Sequence, residues 1–334
     1  MAQDWDFSHN HEQNWLAARE TDVTKVLPNS QRVWDLPAQT AADQTRLTWA
    51  RVIESYEAVP PAYRTFFEPF CAEEQIFPHT LIVPTYDGFL HRPTEQIICD
   101  LGDELCVLKK QGTRFESRCY PLDAITFVEM RTSLLTSSIK ISGITKQGEP
   151  AVSVFEFNSI TDPLFTPIVD RIRCTARASR IGAQAMDQHL EKEPFSQWSR
   201  LNFKFMNYAR RSVPDGDTVI DTILQSEIRT HLFTLLGKPI YRMTTFTHAH
   251  ILTDRELIII REDEKLTGKG RYGGIWTYIP LDKIADLSLS ARDRDLILFT
   301  IRLRPGECIE QLFQATKEAE IARMMGQFKK LMES

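Results

Sequence analysis

The sequence lacks most of the features that would announce a membrane span, a metal site or a reactive centre. No apolar run approaches the roughly 18 to 20 residues needed to cross a bilayer. The opening stretch, MAQDWDFSHNHEQNW, has acidic and polar side chains where a secretory signal would carry a basic segment and an apolar core, so a cytoplasmic location is expected. The cysteines, Cys71, Cys99, Cys106, Cys119, Cys174 and Cys308, form no CxxC and no zinc-type spacing. Several sit inside apolar β-like runs, and the expectation is free thiols packed as small hydrophobes. Positive charge is not in excess either. A formal net charge of -5 argues against a nucleic-acid partner, which would call for a basic domain or stripe. There is no GxSxG elbow, no HExxH, and no P-loop or GxGxxG in a strand-to-helix setting, so neither catalysis nor a cofactor or metal is expected.

What is present describes an ordinary globular chain. Hydrophobic residues at 42% and charged residues at 25% are enough to build a core. At 334 residues the length suits two domains at roughly 100 to 200 residues each. Acidity is concentrated at the front, where residues 1–79 carry 12 acidic and 6 basic side chains.

Taken in order, residues 1–37 read as a partly ordered arm whose Trp5, Trp15 and Trp34 suggest local docking. Residues 38–79 read as a helical segment. Leu47, Val52, Ile53 and Tyr56 give a helical stripe, Pro60 and Pro61 stop it, and AYRTFFEPF restarts it. From Thr80 the period changes to two, and short β-rich runs from LIVPTY to AVSVFEFN describe an antiparallel meander. A helix follows, with Thr166 as cap and Pro167 at its first position, continuing toward Leu190, so the first domain spans 80–192. Residues 193–216 form a helical connector ending at Pro214-Asp215-Gly216-Asp217. A second β series, from VIDTILQ to CIEQLFQA, and a final helix capped by Thr316 fill 217–334. Ile321, Met324, Met325, Phe328 and Met332 make that helix's apolar face.

The two β series are copies. Glu104-Leu105 aligns with Glu256-Leu257, Pro121-Leu122-Asp123 with Pro280-Leu281-Asp282, Ile125 with Ile284, and Phe157 with Phe313. Ile168, Val169 and Ile172 align with Met324, Met325 and Phe328. A small bent sheet leaves one mouth of its core open, and one amphipathic helix can cover it. The fold class expected is therefore α+β, mainly β, with two antiparallel barrels or sandwiches, each closed by its own C-terminal helix.

Leu252 to Ile259, LTDRELII, followed by Ile279 to Ile284, IPLDKI, resembles the pleckstrin-homology-like superfold, in particular its bacterial and GRAM-type members. Those carry an LTxxRLII strand followed by an IPLxxI strand. The first copy keeps Tyr120 to Ile125, YPLDAI, but has Asp100 to Asp103 in place of the LTD element. The resemblance spans about residues 80–172 and 219–332 and implies a structural scaffold whose motifs carry no chemistry.

Candidate sites are few. In KLTGKGR, the cations Lys265, Lys269 and Arg271 sit on a Gly-rich hairpin and could hold an anion or lipid headgroup, as the basic cluster of phosphoinositide-binding members does; the bland alternative is a solvated hairpin tip. Trp198, Phe203, Phe205 and Tyr208 in the connector are a candidate interaction surface. His248 and His250, two apart in a strand, share a face, but nothing nearby completes a metal site, and His9 and His11 offer less. Asp123 and Asp282 occupy equivalent places after Pro-Leu, which fits turn formation better than acid catalysis. Arg171, Arg173, Arg177 and Arg180 read as a solvated helix face. The function expected is a non-enzymatic interaction or scaffolding protein that binds a protein partner or its own copy. A peripheral protein that engages anionic lipid through the 265–271 loop is the second reading, and an enzyme with a cleft between the repeats the third.

Overall fold

A computed structural model describes residues 49–71, 77–84, 94–178, 194–264 and 272–333. The protein is α+β and mainly β, with several antiparallel sheets and a C-terminal helix. Its strands are β1 (Arg51–Ile53), β2 (His79–Val83), β3 (Gln96–Asp100), β4 (Glu104–Gln111), β5 (Arg114–Pro121), β6 (Ile125–Thr132), β7 (Thr136–Ile144) and β8 (Pro150–Asn158). They continue with β9 (Val219–Gln225), β10 (Ile228–Leu235), β11 (Lys238–Thr245), β12 (His248–Thr253), β13 (Glu256–Arg261) and β14 (Gly274–Pro280). The last three are β15 (Ile284–Ala291), β16 (Leu296–Leu303) and β17 (Cys308–Gln314). The helices are α1 (Arg64–Phe67), α2 (Asp162–Ala178), α3 (Phe203–Ser212) and α4 (Glu318–Glu333).

The repeat is visible element by element. In each half, four strands lead through a short 3-10 turn into three more strands and a helix: β2 to β5, β6 to β8 and α2, then β9 with β12 to β14, β15 to β17 and α4. Pro121-Leu122-Asp123 and Pro280-Leu281-Asp282 make the corner between the two groups of strands, with Leu122 and Leu281 buried. Even the bracing bond repeats, since Leu122 N–H donates to the Asp103 carbonyl at 2.9 Å and Leu281 N–H to the Arg255 carbonyl at 3.1 Å. Asp123 and Asp282 thus belong to turns, as their repeated position implied. Phe157 and Phe313 are both fully buried, Phe157 stacking on Phe165 of α2 at 3.8 Å between ring centroids.

The halves do not stop at their own edges. The strand order β8-β7-β6-β14-β13-β12-β9 makes one seven-stranded sheet, in which β6 of the first half pairs antiparallel with β14 of the second, from Thr132↔Gly274 to Val128↔Tyr278. Polar side chains cross this seam. Glu129 accepts from Arg261 at 2.6 Å and from the Thr277 hydroxyl at 3.1 Å, and Arg131 pairs with the buried Asp263. Close backbone approach at the seam's end requires glycine: Gly273 has φ +94, and a Cβ there would sit 1.9 Å from the Thr132 carbonyl oxygen.

Sharing the sheet explains the unbroken apolar run Leu257 to Ile260. Alternate side chains of a strand face opposite sides, and here both sides are covered. Ile258 and Ile260 enter a core shared with α2, α3 and the first half, while Leu257 and Ile259 enter the core closed by β15 to β17 and α4. On α4 the buried side chains are Ile321, Met324, Phe328 and Leu331, and Met332 points outward, so its apolar stripe is chiefly a core face.

Several expectations are corrected. Val52 and Ile53 belong to strand β1, which adds to β2 at Val52↔Leu81 and Ile53↔Thr80, so the helical stripe through Tyr56 is not formed. β-branched residues with a free strand edge beside them pair instead of coiling. AYRTFFEPF does become helical, as a 3-10 turn, α1 and a second 3-10 turn. Helix α2 starts at Asp162, leaving Pro167 inside it, and Thr316 lies in a 3-10 turn before α4. The predicted arm, residues 1–37, and the stretch toward Leu190 fall outside the described residues.

A buried ion pair fastens α2 to the second half. Arg173 and Glu256 are almost completely buried, and Arg173 also donates to the Ser212 carbonyl at 2.7 Å and lies 3.9 Å over the Tyr278 ring. Removing one partner strands the other charge in the core. Arg173→Met is therefore expected to lower stability by about 3 to 5 kcal/mol, whereas Arg173→Met with Glu256→Leu recovers most of that loss. Urea unfolding of the two variants checks it.

Candidate functional site

Strand β12 is buried at all six positions, and it carries two strongly perturbed titratable groups. His248 and His250 share one face, as their spacing requires, and meet Phe313 at 4.6 and 5.2 Å between ring centroids. His248 Nδ1 donates to the Phe246 carbonyl at 2.9 Å in the tautomer that this contact selects. Its Nε2 and both nitrogens of His250 have no hydrogen-bond partner. Burial pushes the His248 imidazole down to about 4, with the Phe246 carbonyl opposing and Arg261 reinforcing the shift. Burial, then the neighbouring His248, holds His250 well below its ordinary 6.5. Both rings are neutral core groups.

No described Cys, Asp or Glu joins the two histidines as a metal-binding trio. Among the described residues, Glu104, Cys106 and Cys119 are the group of three that lies close enough to share an ion. Cys106 and Cys119, however, are joined in a disulfide, and Glu104 pairs with Lys146 at 3.1 Å. The disulfide corrects the expectation of free thiols for these two residues. They stand opposite each other on β4 and β5, equidistant from the Gly112-Thr113 turn, which brings their side chains together. Cys99 and Cys308 are free thiols; Cys99 is buried, and Cys308, like Cys174, is exposed.

The predicted site residues separate. Lys265, Lys269 and Arg271 lie outside the described residues. The flanking residues Glu264 and Tyr272 place that loop after β13 and before β14. In the connector, Trp198 and Phe205 are core residues, 2% and 0% exposed, and are unavailable as a surface. Tyr208 is half-buried against Trp276 and donates its hydroxyl to the Gly273 carbonyl at 3.2 Å, bracing the seam. Phe203 is exposed. The structure thus reads the connector as mainly internal packing, with α3 capped by the Asn202 side chain accepting from Phe205 N–H. Of the arginine row on α2, Arg173 is buried and Arg171 donates to the Gly102 carbonyl at 3.0 Å. Arg177 and Arg180 fall outside the described side chains.

An open groove of about 470 Å³ lies beside β5 and β8, lined by residues such as Glu116, Arg118, Thr145 and Glu149. Arg118 is held there by Glu116 and the Val152 carbonyl. No His or Cys lines it; its carboxylates are Glu116 and Glu149 and its hydroxyls Ser117 and Thr145.

Exposed apolar side chains instead collect at one end of the seven-stranded sheet. The register carries this end from Thr132 of β6 to Gly274, Arg261, His248 and Gln225 in neighbouring strands. The β6–β7 turn presents Leu134 and Leu135 there, and Ser159 binds both their carbonyls, which places the exposed Ile160 alongside. Tyr272 is exposed next to the seam. Beyond His248 and Gln225 projects the β10–β11 hairpin, exposing Leu232, Phe233, Leu235, Leu236 and Tyr241. Sequence reasoning found β10 and β11 as strands but missed their exposure. The signal was an apolar pair of strands without the alternation that a one-sided surface demands.

No known protein family's sequence profile matches the chain, and no curated protein matches it. No helix among the described residues is long and apolar enough to cross a membrane.

The buried histidines make stability depend on pH. As pH falls from 6.5, the unfolded chain protonates two imidazoles that the folded chain keeps neutral, so stability is lost between 6.5 and about 4. Asp162 acts in the opposite sense, because burial pushes its carboxyl from 3.8 to about 6 although Ser137 and Thr132 pull the other way. It offsets part of the loss over that range. Urea unfolding across this window should show the decline, and His250→Leu should flatten it by about one proton.

Proposed function

We propose that the protein is a non-enzymatic docking and scaffolding platform built from two pleckstrin-homology-like units. The observation that carries this reading is the pairing of β6 with β14, which joins the repeats into one sheet and puts exposed apolar turns of both units at the same end. Two domains linked only by a connector would present two independent small surfaces. A shared sheet presents one composite surface whose parts are held in register, so that binding costs little ordering of the two units against each other.

Further support comes from how the polar groups are used. The buried charges Arg173, Glu256 and Asp263 and the partly exposed Arg131 serve the joint between units. His248 and His250 are enclosed in the core, and in the open groove Glu116 is held by Arg118. The repeat's PLD corners are turns, which fits the structural character of the family resemblance.

Proximity labelling in cells tests this reading whatever the docked species is. The wild-type chain is expected to label a defined set of neighbours, and a Leu134→Ser, Leu135→Ser, Phe233→Ser variant, altered only at exposed positions, should lose most of that set. An unchanged set would contradict the proposal.

A further inference from the structure

We infer that the β10–β11 hairpin is a membrane-docking arm that inserts its tip shallowly into an anionic lipid bilayer. This rests on the docking-platform reading and names what the platform docks on.

The hairpin packs on none of the protein's hydrophobic cores, although its sequence is rich in large apolar residues. Leu236 at the tip is 95% exposed, and Leu235 is 57% exposed. A bulge between His231 and Phe233 changes the register, so apolar side chains appear on both faces. Phe233 stands opposite Ile240 on one, while Tyr241 stands opposite His231 on the other, with Met243 following two residues along. A two-stranded hairpin with no supporting layer is marginal in water. Its apolar faces need a solvent or partner that covers both.

That two-sidedness selects the occupant. A groove on a protein covers one face of a hairpin and leaves the other wet. Lipid surrounds an inserted tip on all sides. Charge points the same way: at the base of the hairpin Arg229 pairs with Glu227, while Lys238 and Arg242 lie nearer the tip and residues 228–247 contain no Asp or Glu. Cations flanking an apolar tip can extend toward phosphates while the tip enters the acyl boundary. A second copy paired hairpin to hairpin would bring like charges against Lys238 and Arg242. The unpaired outer edges of β10 and β11 limit depth, because bare backbone groups are costly in hydrocarbon. Insertion therefore stops at the headgroup boundary, roughly 5 to 10 Å deep.

The shared sheet supplies the second line of contact. Leu134, Leu135 and Ile160 from the first unit and Tyr272 from the second stand at the same sheet end as the hairpin. Six intervals between the seven strands, at about 4.8 Å each, give a row about 29 Å long.

The test uses the full chain with vesicles of phosphatidylcholine alone and of phosphatidylcholine containing about 30% phosphatidylserine, the anionic component. Flotation is expected to show binding to the anionic vesicles that weakens as salt rises from about 0.1 to 0.5 M. Leu235→Ser with Leu236→Ser should weaken it at least about tenfold, since each leucine loses its apolar burial. The thermal midpoint should stay unchanged, because both side chains are exposed in the folded protein. Absence of vesicle binding, or equal binding by the variant, overturns the inference. So does a vesicle-indifferent dimer that the same substitutions dissolve, an outcome that leaves the docking-platform reading standing. Loss of that broader reading would show separately, as an unaltered labelling pattern in cells.

Discussion

Everything distinctive about this protein depends on one β-ladder, the antiparallel pairing of β6 with β14. Each repeat taken alone would end in a bare strand edge at this point, and bare edges invite pairing with whatever strand is available. Here each repeat satisfies the other. The union is reinforced on one side by Glu129, Arg261 and Thr277 and by Arg131 with Asp263, and on the other by the core that α2 and α3 share with β12, β13 and β14. The buried Arg173–Glu256 pair adds geometric specification more than net stability, since two desolvated charges recover little beyond what they cost.

From that ladder the rest follows in order. Strands covered on both faces must be apolar at successive positions, which is the run Leu257 to Ile260. The connector must be narrow and buried, because it passes over the shared core, so Trp198 and Phe205 turn inward. The turns at one end of the common sheet are brought into a row. The hairpin inserted between β9 and β12 extends that row beyond the body of the protein, and it keeps its apolar side chains outside every core. What a tandem of separate domains would scatter, the shared sheet aligns.

Much of this was legible from residues alone. The repeat, its PLD corners, the helix that closes each unit and every strand from β9 to β17 followed from period-two patterning and turn residues. The disulfide was within reach too, since Cys106 and Cys119 are symmetric about the Gly112-Thr113 turn. Other features depend on tertiary context that local pattern does not encode. Val52 and Ile53 have the spacing of a helical stripe but find a free edge at β2. The aromatic connector looks like a surface because burial depends on what lies over it. Least legible was the seam. Nothing in ITFVEMRT says that its partner is GIWTYIP, about 150 residues away, because strand-pairing partners over such distances are set by packing and not by local propensity. The basic loop 265–271 keeps its sequence-level reading and gains no structural description.

Amide hydrogen exchange on the native full-length chain addresses the shared sheet most directly. If the repeats form one sheet, the amides of β6 and β14 that face each other across the seam will exchange as slowly as those of the central strands β7 and β13, through the same global opening. Fast exchange along the facing edges of β6 and β14, with slow exchange retained elsewhere in both repeats, would show two separate units with bare edges and would contradict the shared sheet.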